Sequence, residues 1–184
     1  MQITTLAIPD VKLIGPAIHR DARGFFSETF NARALIAAGI DQVFVQDNQS
    51  LSVERGVVRG LHFQLQPKAQ DKLVRVTRGA ILDVAVDIRR GSPTYGRHVA
   101  VELSAANWQQ LWVPKGFAHG FCTLEPDTEV VYKTSALYAP EHDQGLRWND
   151  PALGIPWPVG ADAAILSPKD CVQPLLAELP AYFT

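Results

Sequence analysis

The chain has 184 residues, 47% of them hydrophobic and 20% charged, which is enough for a single domain with a sizeable core over residues 1–184. A formal net charge of −2 argues against a nucleic-acid-binding protein, which usually carries a basic stripe. No apolar run approaches the ~20 residues that cross a bilayer, the amino terminus does not resemble a signal peptide, and Cys122 and Cys171 form no C-x-x-C pair, so we expect a cytoplasmic protein without a membrane partner.

The first predicted element is a short helix. Asn31 is a favourable N-cap residue, the alanine-rich stretch Ala32–Ala38 favours helix, and Gly39 is a typical stop. This segment therefore predicts one helix ahead of the main run of strands.

A strand is predicted next, at residues 57–65, where valine, leucine and phenylalanine dominate. Arg59 and His62 lie on this strand, and simple alternation puts them on opposite faces. They share a face only if Gly60 marks a bulge, which is a common use of glycine in strands. The alternative interpretation is a surface arginine beside a histidine of the core.

Four further strand patterns follow, at residues 81–88, 99–103, 111–113 and 130–132. Repeated short strands with turn signals between them predict an all-β barrel or jelly roll, whose interior can hold a small ligand. Asp83 and Asp87 share one face of the first of these strands, and the pattern is compatible with an interior face or a solvated one. From Tyr138 on, the chain is rich in proline and lacks periodicity, which predicts loops and short helical turns around the core.

His119 follows a proline–glycine turn in Pro114–Phe121, a pattern that resembles the second histidine motif of cupin barrels, where such a residue often binds a metal. A metal needs three or more converging ligands, and the segment around His62 has no second histidine. We therefore expect no metal, and an activity that survives a strong chelator. The remaining histidines lie in polar, turn-like contexts and are expected at the surface: His19, His98 and His142.

Acid–base chemistry without a metal fits the remaining polar residues. A sugar carbon loses its proton readily only beside a carbonyl, which takes up the charge as an enolate. Such an enzyme needs a base of near-neutral pKa, a cation at the enolate oxygen, and an acid on the opposite face. His62 suits the base, Lys72 the cation and Tyr132 the acid. A carboxylate should orient the histidine, and the candidates are Asp83, Asp87 and Asp170.

Six segments together resemble the dTDP-4-dehydrorhamnose 3,5-epimerases: Arg23–Glu28, Gln46–Asn48, Arg59–Gln64, Lys72–Arg75, Gly116–Phe121 and Trp148–Pro151. They follow that family's order and spacing. The resemblance implies a cupin-type jelly-roll β-barrel with short peripheral helices, forming a homodimer that works without metal or other cofactor. It also implies a dTDP-sugar substrate, dTDP-4-dehydro-6-deoxy-D-glucose, inverted at C3 and C5 in dTDP-L-rhamnose biosynthesis.

The resemblance implies roles for individual residues. His62 corresponds to the proton-abstracting base, Asp170 to its carboxylate partner, Tyr132 to the acid and Lys72 to the lysine at the enolate oxygen. Tyr138 corresponds to an aromatic residue that stacks on the thymine ring. Arginine and lysine side chains suit a diphosphate. The other implied contacts with the nucleotide sugar are Arg23, Glu28, Gln46, Asp47, Asn48, Arg59, His119 and Lys169.

One acidic contact has two candidates, because the family's glutamate position reads Glu141-His142-Asp143 here. Alignment on the following Trp148-Asn149-Asp150 favours Asp143. Its side chain is shorter than that of glutamate and reaches less far.

Two other kinds of function share many of these residues. A single-position epimerase on the same scaffold would keep the histidine and the tyrosine, and solvent deuterium at both C3 and C5 would exclude it. A metal-dependent cupin oxygenase would contain stoichiometric iron or manganese. A non-catalytic sugar sensor would have lost His62 and Tyr132, and both are present.

Overall fold

Short strands build almost the whole chain. The computed structural model describes residues 1–184 and contains thirteen strands, one α-helix and three single turns of 3-10 helix. The strands in chain order are β1 (Gln2–Thr5), β2 (Lys12–Gly15), β3 (Ile18–Asp21), β4 (Gly24–Ser27), β5 (Gln46–Ser52), β6 (Val58–Gln64), β7 (Lys72–Arg78), β8 (Ala80–Asp87), β9 (His98–Ser104), β10 (Gln110–Val113), β11 (Phe117–Thr123), β12 (Thr128–Thr134) and β13 (Asp143–Gly145). The helix α1 spans Ala32–Ala37, and the 3-10 turns span Pro140–His142, Asp170–Val172 and Leu176–Glu178.

The strands form two main antiparallel sheets. The six-stranded sheet has the order β1-β2-β10-β7-β12-β5, the five-stranded sheet has the order β13-β6-β11-β8-β9, and β3 and β4 form a separate hairpin. A buried apolar core lies between the sheets, with Val74 and Leu111 from one and Ile81 and Phe121 from the other. The predicted cupin-type jelly roll is confirmed. Its two main sheets do not close into a barrel, because no strand pairing joins them.

A second apolar cluster lies on the outer face of the five-stranded sheet. Val84 and Ala118 contribute to it, because successive side chains of a strand point to opposite faces. The carboxyl-terminal segment covers this face with Leu146, Leu153, Leu176, Leu179 and Phe183. The prediction that this segment wraps around the core is therefore confirmed.

The helix forms where the sequence predicts it. The side chain of Asn31 accepts a hydrogen bond from the Ala34 amide at 3.1 Å, as an N-cap does, and Gly39 beyond the helix end has a φ of +80°. None of the helices has the length and apolar character needed to cross a bilayer.

The bulge that would bring Arg59 and His62 to one face is present at Gly60 in β6. Arg59 pairs with Phe121 and His62 pairs with His119, so a step of three residues on β6 matches a step of two on β11. The extra residue changes the alternation, and both Arg59 and His62 line the same cavity between the sheets. One glycine therefore brings Arg59 and His62 to the same cavity.

We expect Gly60→Ala to destabilise the protein. The residue has a φ of +122°, and a Cβ there would lie 2.6 Å from the Cα of Gly120 and 2.8 Å from the carbonyl oxygen of His119. Backbone strain and overpacking together should cost roughly 2–5 kcal/mol. The measurement is the free energy of unfolding in denaturant. The control is Gly154→Ala, where φ is +59° but no atom lies within 4 Å of the added Cβ. Equal losses in the two variants would contradict the close approach of β6 and β11.

Candidate active site

A cavity of about 710 Å³ lies between the two sheets, beside the Gly60 bulge. His62 and His119 reach it from the five-stranded sheet, and Lys72 and Tyr132 reach it from the six-stranded sheet. A smaller compartment of about 140 Å³ shares Asn48, His62, Lys72 and Tyr132 with the cavity. Its other polar walls are Gln46, Gln64, Gln70, Tyr138, Asp143 and Lys169. The structure thus places all three groups assigned to proton transfer and enolate stabilisation where the two compartments meet.

His62 forms a dyad with Asp170. Its Nε2 lies 2.5 Å from Oδ1 of Asp170, and the Ser167 hydroxyl donates to Oδ2 at 2.8 Å. The carboxylate side chain is 3% exposed and the imidazole 31% exposed, so the histidine alone is open to a ligand. Burial acts to raise the pKa of Asp170, but hydrogen bonds from His62 and Ser167 hold it below its ordinary value. The ionised carboxylate therefore orients the imidazole.

The other two candidate partners of His62 lie elsewhere. Asp83 is fully buried, and its Oδ1 lies 2.8 Å from Nε2 of His119. Asp87 is also fully buried, and it accepts hydrogen bonds from Arg89 and Ser92. A solvated face for these two aspartates is therefore wrong.

Lys72 is a buried cation, 8% exposed, whose Nζ donates to the carbonyl oxygen of His62 at 3.3 Å. Burial lowers the pKa of Lys72 to about 8. The negative charges of Asp143 and Asp83 oppose this shift, whereas the positive charge of Lys169 adds to it. The ammonium form still predominates at neutral pH, and it can donate to an oxyanion in the cavity.

We expect turnover to fall as the pH rises through about 8, the value to which burial lowers the pKa of Lys72. Only the protonated amine can stabilise an enolate oxygen, so the rate is lost when Lys72 releases its proton. A pH–rate profile measures this alkaline limb. Lys72→Arg should be slower but should lack the limb, because a guanidinium stays charged. A wild-type rate that stays flat to about pH 10, where an ordinary lysine titrates, would contradict the assignment.

Tyr132 enters the cavity from β12, in the sheet opposite His62. Burial raises the pKa of its hydroxyl, with a smaller opposing effect from the positive charge of Arg59 and a further rise from Asp143. The phenol therefore keeps its proton at neutral pH. It is available as a donor on the side opposite the base.

Tyr138 lies at the rim of the smaller compartment with 57% of its surface exposed, so its ring is free to stack. Its hydroxyl donates to Asp143 at 3.1 Å, and its amide donates to Oε1 of Gln46 at 2.8 Å. Lys169 forms an ion pair with Asp143. Glu141 is exposed and lines neither compartment. Of the two acidic candidates, the structure therefore brings Asp143 to this site.

The side chain of Asp47 does not reach the cavity. Gln46 and Asn48 line the smaller compartment, and Asp47 lies between them on β5, so strand alternation turns it to the outer face. There its carboxylate pairs with Lys133 at 2.8 Å. Arg59, by contrast, lines the larger cavity.

Arg23 and Glu28 also lie away from the cavity of their own chain. Arg23 belongs to the turn of the β3–β4 hairpin, is 89% exposed, and pairs with Asp21 of the same hairpin. Glu28 is exposed and accepts a hydrogen bond from the Asn31 side chain at 2.8 Å. A single chain therefore does not bring these two predicted contacts to His62.

Two residues that hold the site escaped the sequence analysis. Ser167 precedes Asp170 by three residues, and this S-x-x-D spacing, typical of a capping pair, was the available signal. Gln64 is buried, its side-chain amide donates to the Lys68 carbonyl at 2.7 Å, and its Oε1 accepts from the Ala139 amide at 2.9 Å. It fixes the backbone beside Tyr138. Gln64 ends the Arg59–Gln64 segment, but that pattern does not show this role, because its partners are backbone groups and Ala139 lies 75 residues along the chain.

The residues that could hold a metal are dispersed. No group of three or more histidine, cysteine, aspartate or glutamate side chains is arranged to bind an ion. Of the three histidines expected at the surface, His19 is exposed, whereas His98 and His142 are half-buried. The expectation of a metal-free enzyme stays a prediction.

Comparison with known proteins agrees with this geometry. The family model for dTDP-4-dehydrorhamnose 3,5-epimerase matches residues 5–178. A dTDP-4-dehydrorhamnose 3,5-epimerase of Sinorhizobium fredii is 56% identical, over 100% of this chain and 93% of that protein. The crystal structure of a dTDP-6-deoxy-D-glucose-3,5-epimerase from Legionella pneumophila in complex with dTDP-4-keto-L-rhamnose has a TM-score of 0.93 at 47% identity, covering 98% of this chain and 95% of that one.

A more distant relative has a narrower activity. The structure of a 3'-monoepimerase from Streptomyces bikiniensis in complex with dTDP-quinovose has a TM-score of 0.86 at 37% identity, covering 94% of this chain and 87% of that one. The fold alone therefore does not separate single from double epimerases. The extent of the family match and the higher identity to the double epimerases show that this chain belongs to the dTDP-4-dehydrorhamnose 3,5-epimerase family.

Proposed function

We propose that the protein inverts C3 and C5 of dTDP-4-dehydro-6-deoxy-D-glucose to give dTDP-4-dehydro-L-rhamnose, in dTDP-L-rhamnose biosynthesis. The observation that carries the proposal is the entry of a base and an acid into one cavity from opposite sheets, His62 from β6 and Tyr132 from β12. Inversion requires that a proton leave one face of a carbon and another arrive on the opposite face. Two groups on facing sheets satisfy that requirement.

The proposed reaction follows from these positions. His62, oriented by Asp170, takes the proton from a carbon beside the C4 carbonyl, and the electron pair moves onto the carbonyl oxygen. The ammonium of Lys72 stabilises this enolate. The enolate then collapses as Tyr132 donates a proton to the opposite face of the same carbon, and both side chains recover their protonation states by exchange with water. C3 and C5 both flank C4, so the same groups serve both centres without a cofactor.

The walls of the two compartments suit a dTDP-sugar. Arg59 and Lys169 supply positive charge for the diphosphate, and His119 adds a ring nitrogen. The exposed ring of Tyr138 offers a flat surface for thymine, with Asp143 held beside it as an acceptor for base or sugar donors. The complex of the Legionella pneumophila relative with dTDP-4-keto-L-rhamnose supports a ligand of this class.

A coupled assay tests the proposed function. The protein is incubated with dTDP-4-dehydro-6-deoxy-D-glucose, NADPH and a downstream 4-reductase that accepts the inverted ketosugar. We expect NADPH consumption that depends on the amount of epimerase and that yields dTDP-L-rhamnose. Consumption no faster than with the reductase alone would contradict the proposed function.

We further propose a homodimer in which each hairpin completes the partner's site. Arg23 and Glu28 lie outside the cavity of their own chain, and the hairpin between them exposes Phe25 (58%) and Phe26 (69%). Adjacent exposed aromatic rings of this size mark an interaction surface. A second copy docked on this hairpin would bury both rings and receive an arginine for its diphosphate.

Mixing two inactive variants tests the shared site. In heterodimers of Arg23→Ala with His62→Asn, one pocket has both an intact His62 and an intact hairpin from the other chain. Random 1:1 exchange in a two-fold dimer should restore about a quarter of wild-type activity. The control pair, His62→Asn with Asp170→Asn, should restore none, because both changes disable the pocket of their own chain. No recovery in the first pair would contradict the shared site.

A further inference from the structure

Asp83 is a carboxylate placed inside the apolar core. It is fully buried on β8, and its neighbours on the same face, Ile81 and Ala85, belong to the cluster between the sheets. Its Oδ2 is inaccessible and has no hydrogen-bond partner. A buried charge with an unpaired oxygen is unfavourable unless nearby opposite charge compensates it. Apolar packing alone therefore does not explain a carboxylate at this position.

Its partner is His119. Oδ1 of Asp83 lies 2.8 Å from Nε2 of His119, which is 7% exposed and lines the cavity. On β11 this histidine pairs directly with His62 of β6. The carboxylate fixes the hydrogen of the imidazole on Nε2, so Nδ1 is the ring nitrogen left for a ligand.

The ammonium of Lys72 reaches the same place from the facing sheet, because its Nζ donates to the carbonyl oxygen of His62, the residue that pairs with His119. The charges of Asp143 and Asp83 both attract this ammonium, whereas burial and Lys169 favour its neutral form. Asp143 shares its charge with Lys169 and with the Tyr138 hydroxyl. Asp83 has no other cation, and its Oδ2 is unshared.

The other carboxylates around the cavity have hydrogen-bond or ion-pair partners of their own. The carboxylate of Asp170 is committed to His62 and Ser167. The titratable and charged groups that face Lys72 from the elements around it are Asp83 on β8, Asp143 on β13, His62 and Arg59 on β6, His119 on β11, Tyr132 on β12, and Lys169 and Asp170 at the 3-10 turn.

We infer that Asp83 is a positioning residue of the site, a buried counter-charge beneath the cavity that fixes the orientation of His119 and keeps Lys72 protonated. It touches neither substrate nor reacting atoms and acts through these two side chains. The kinetic consequence rests on the proposed function, whereas the orientation of His119 and the charge of Lys72 do not.

The test compares Asp83→Asn with Asp87→Asn. The control also removes a buried carboxylate from β8, but one whose partners Arg89 and Ser92 lie outside the cavity. Loss of a negative charge makes the neutral amine easier to form, so Asp83→Asn should move the alkaline limb of kcat to lower pH than in wild type. Asp87→Asn should keep the wild-type limb even where Tm falls. An unmoved limb in Asp83→Asn overturns the inference.

Two readouts are independent of epimerase activity. Competitive acetylation of Lys72 at increasing pH should show a lower midpoint in Asp83→Asn than in wild type or Asp87→Asn, and equal midpoints overturn the inference. Nitrogen-15 NMR of wild-type protein should show a hydrogen on Nε2 of His119, and a hydrogen on Nδ1 alone overturns it. The NMR experiment decides the matter if Asp83→Asn does not fold. Failure of the wild type to epimerise would reject the proposed function and leave these readouts intact.

Discussion

His62→Asn should abolish proton exchange at both C3 and C5. His62 is the imidazole held by an ionised carboxylate at the meeting point of the two compartments, 2.5 Å from Asp170. The other imidazole of the cavity, His119, is bonded to the buried Asp83. Loss of a general base typically costs on the order of 10²–10⁴-fold in rate. The measurement is the wash-in of solvent deuterium into recovered substrate and product by NMR.

Asparagine keeps a polar side chain of similar width, so the fold should persist and unfolding curves provide the check. Asp170→Asn is the companion variant, and it should slow exchange at both carbons together because it removes the group that orients one base. Wild-type wash-in at C3 in His62→Asn would show that a second base serves that carbon.

Tyr132→Phe should separate proton loss from inversion. The phenylalanine ring still packs against the core, but the hydroxyl on the sheet opposite His62 is gone. His62 can still take a proton and return it to the same face, which exchanges the hydrogen without changing the configuration. We therefore expect deuterium to enter the recovered substrate faster than rhamno-configured product forms. Loss of this acid should slow inversion by on the order of 10²–10⁴-fold.

Tyr138→Phe is the matched control, because it removes a phenol hydroxyl at the rim of the same site while leaving the stacking ring. It should keep exchange and inversion coupled. Equal slowing of exchange and inversion in Tyr132→Phe would show that Tyr132 assists enolate formation, and unchanged inversion would show that another group is the acid.

Local patterns predicted the helix and five of the thirteen strands: β6, β8, β9, β10 and β12. Asn31 and Gly39 mark the ends of α1, the alternation around Asp83 predicts β8, and Gly60 left open the bulge that the structure contains. Whether the two sheets close into a barrel could not be predicted, because this depends on hydrogen bonding between their edge strands. The partner of His62 could not be chosen either. Asp170 lies 108 residues along the chain from His62, and only the path of the carboxyl-terminal segment brings them together.

The predicted contacts that lie outside the cavity of their own chain belong to β5 and the hairpin. The sequence of β5, Gln46–Ser52, is mostly polar because its inner face lines a cavity. It therefore lacks the apolar alternation that predicts a strand, and the outward direction of the Asp47 side chain could not be predicted. Arg23 lies on a hairpin that contributes no residue to the walls of the cavity in its own chain. A sequence motif marks such residues as ligand contacts, but it does not show whether they contact the ligand in their own chain or in a second copy.

One base and one acid on facing sheets should invert two carbons of the same sugar. The position of deuterium in the product formed in deuterium oxide, with the 4-reductase present, tests this. We expect dTDP-L-rhamnose with solvent deuterium at both C3 and C5. Deuterium at only one of these carbons, with the other configuration retained, would contradict this expectation.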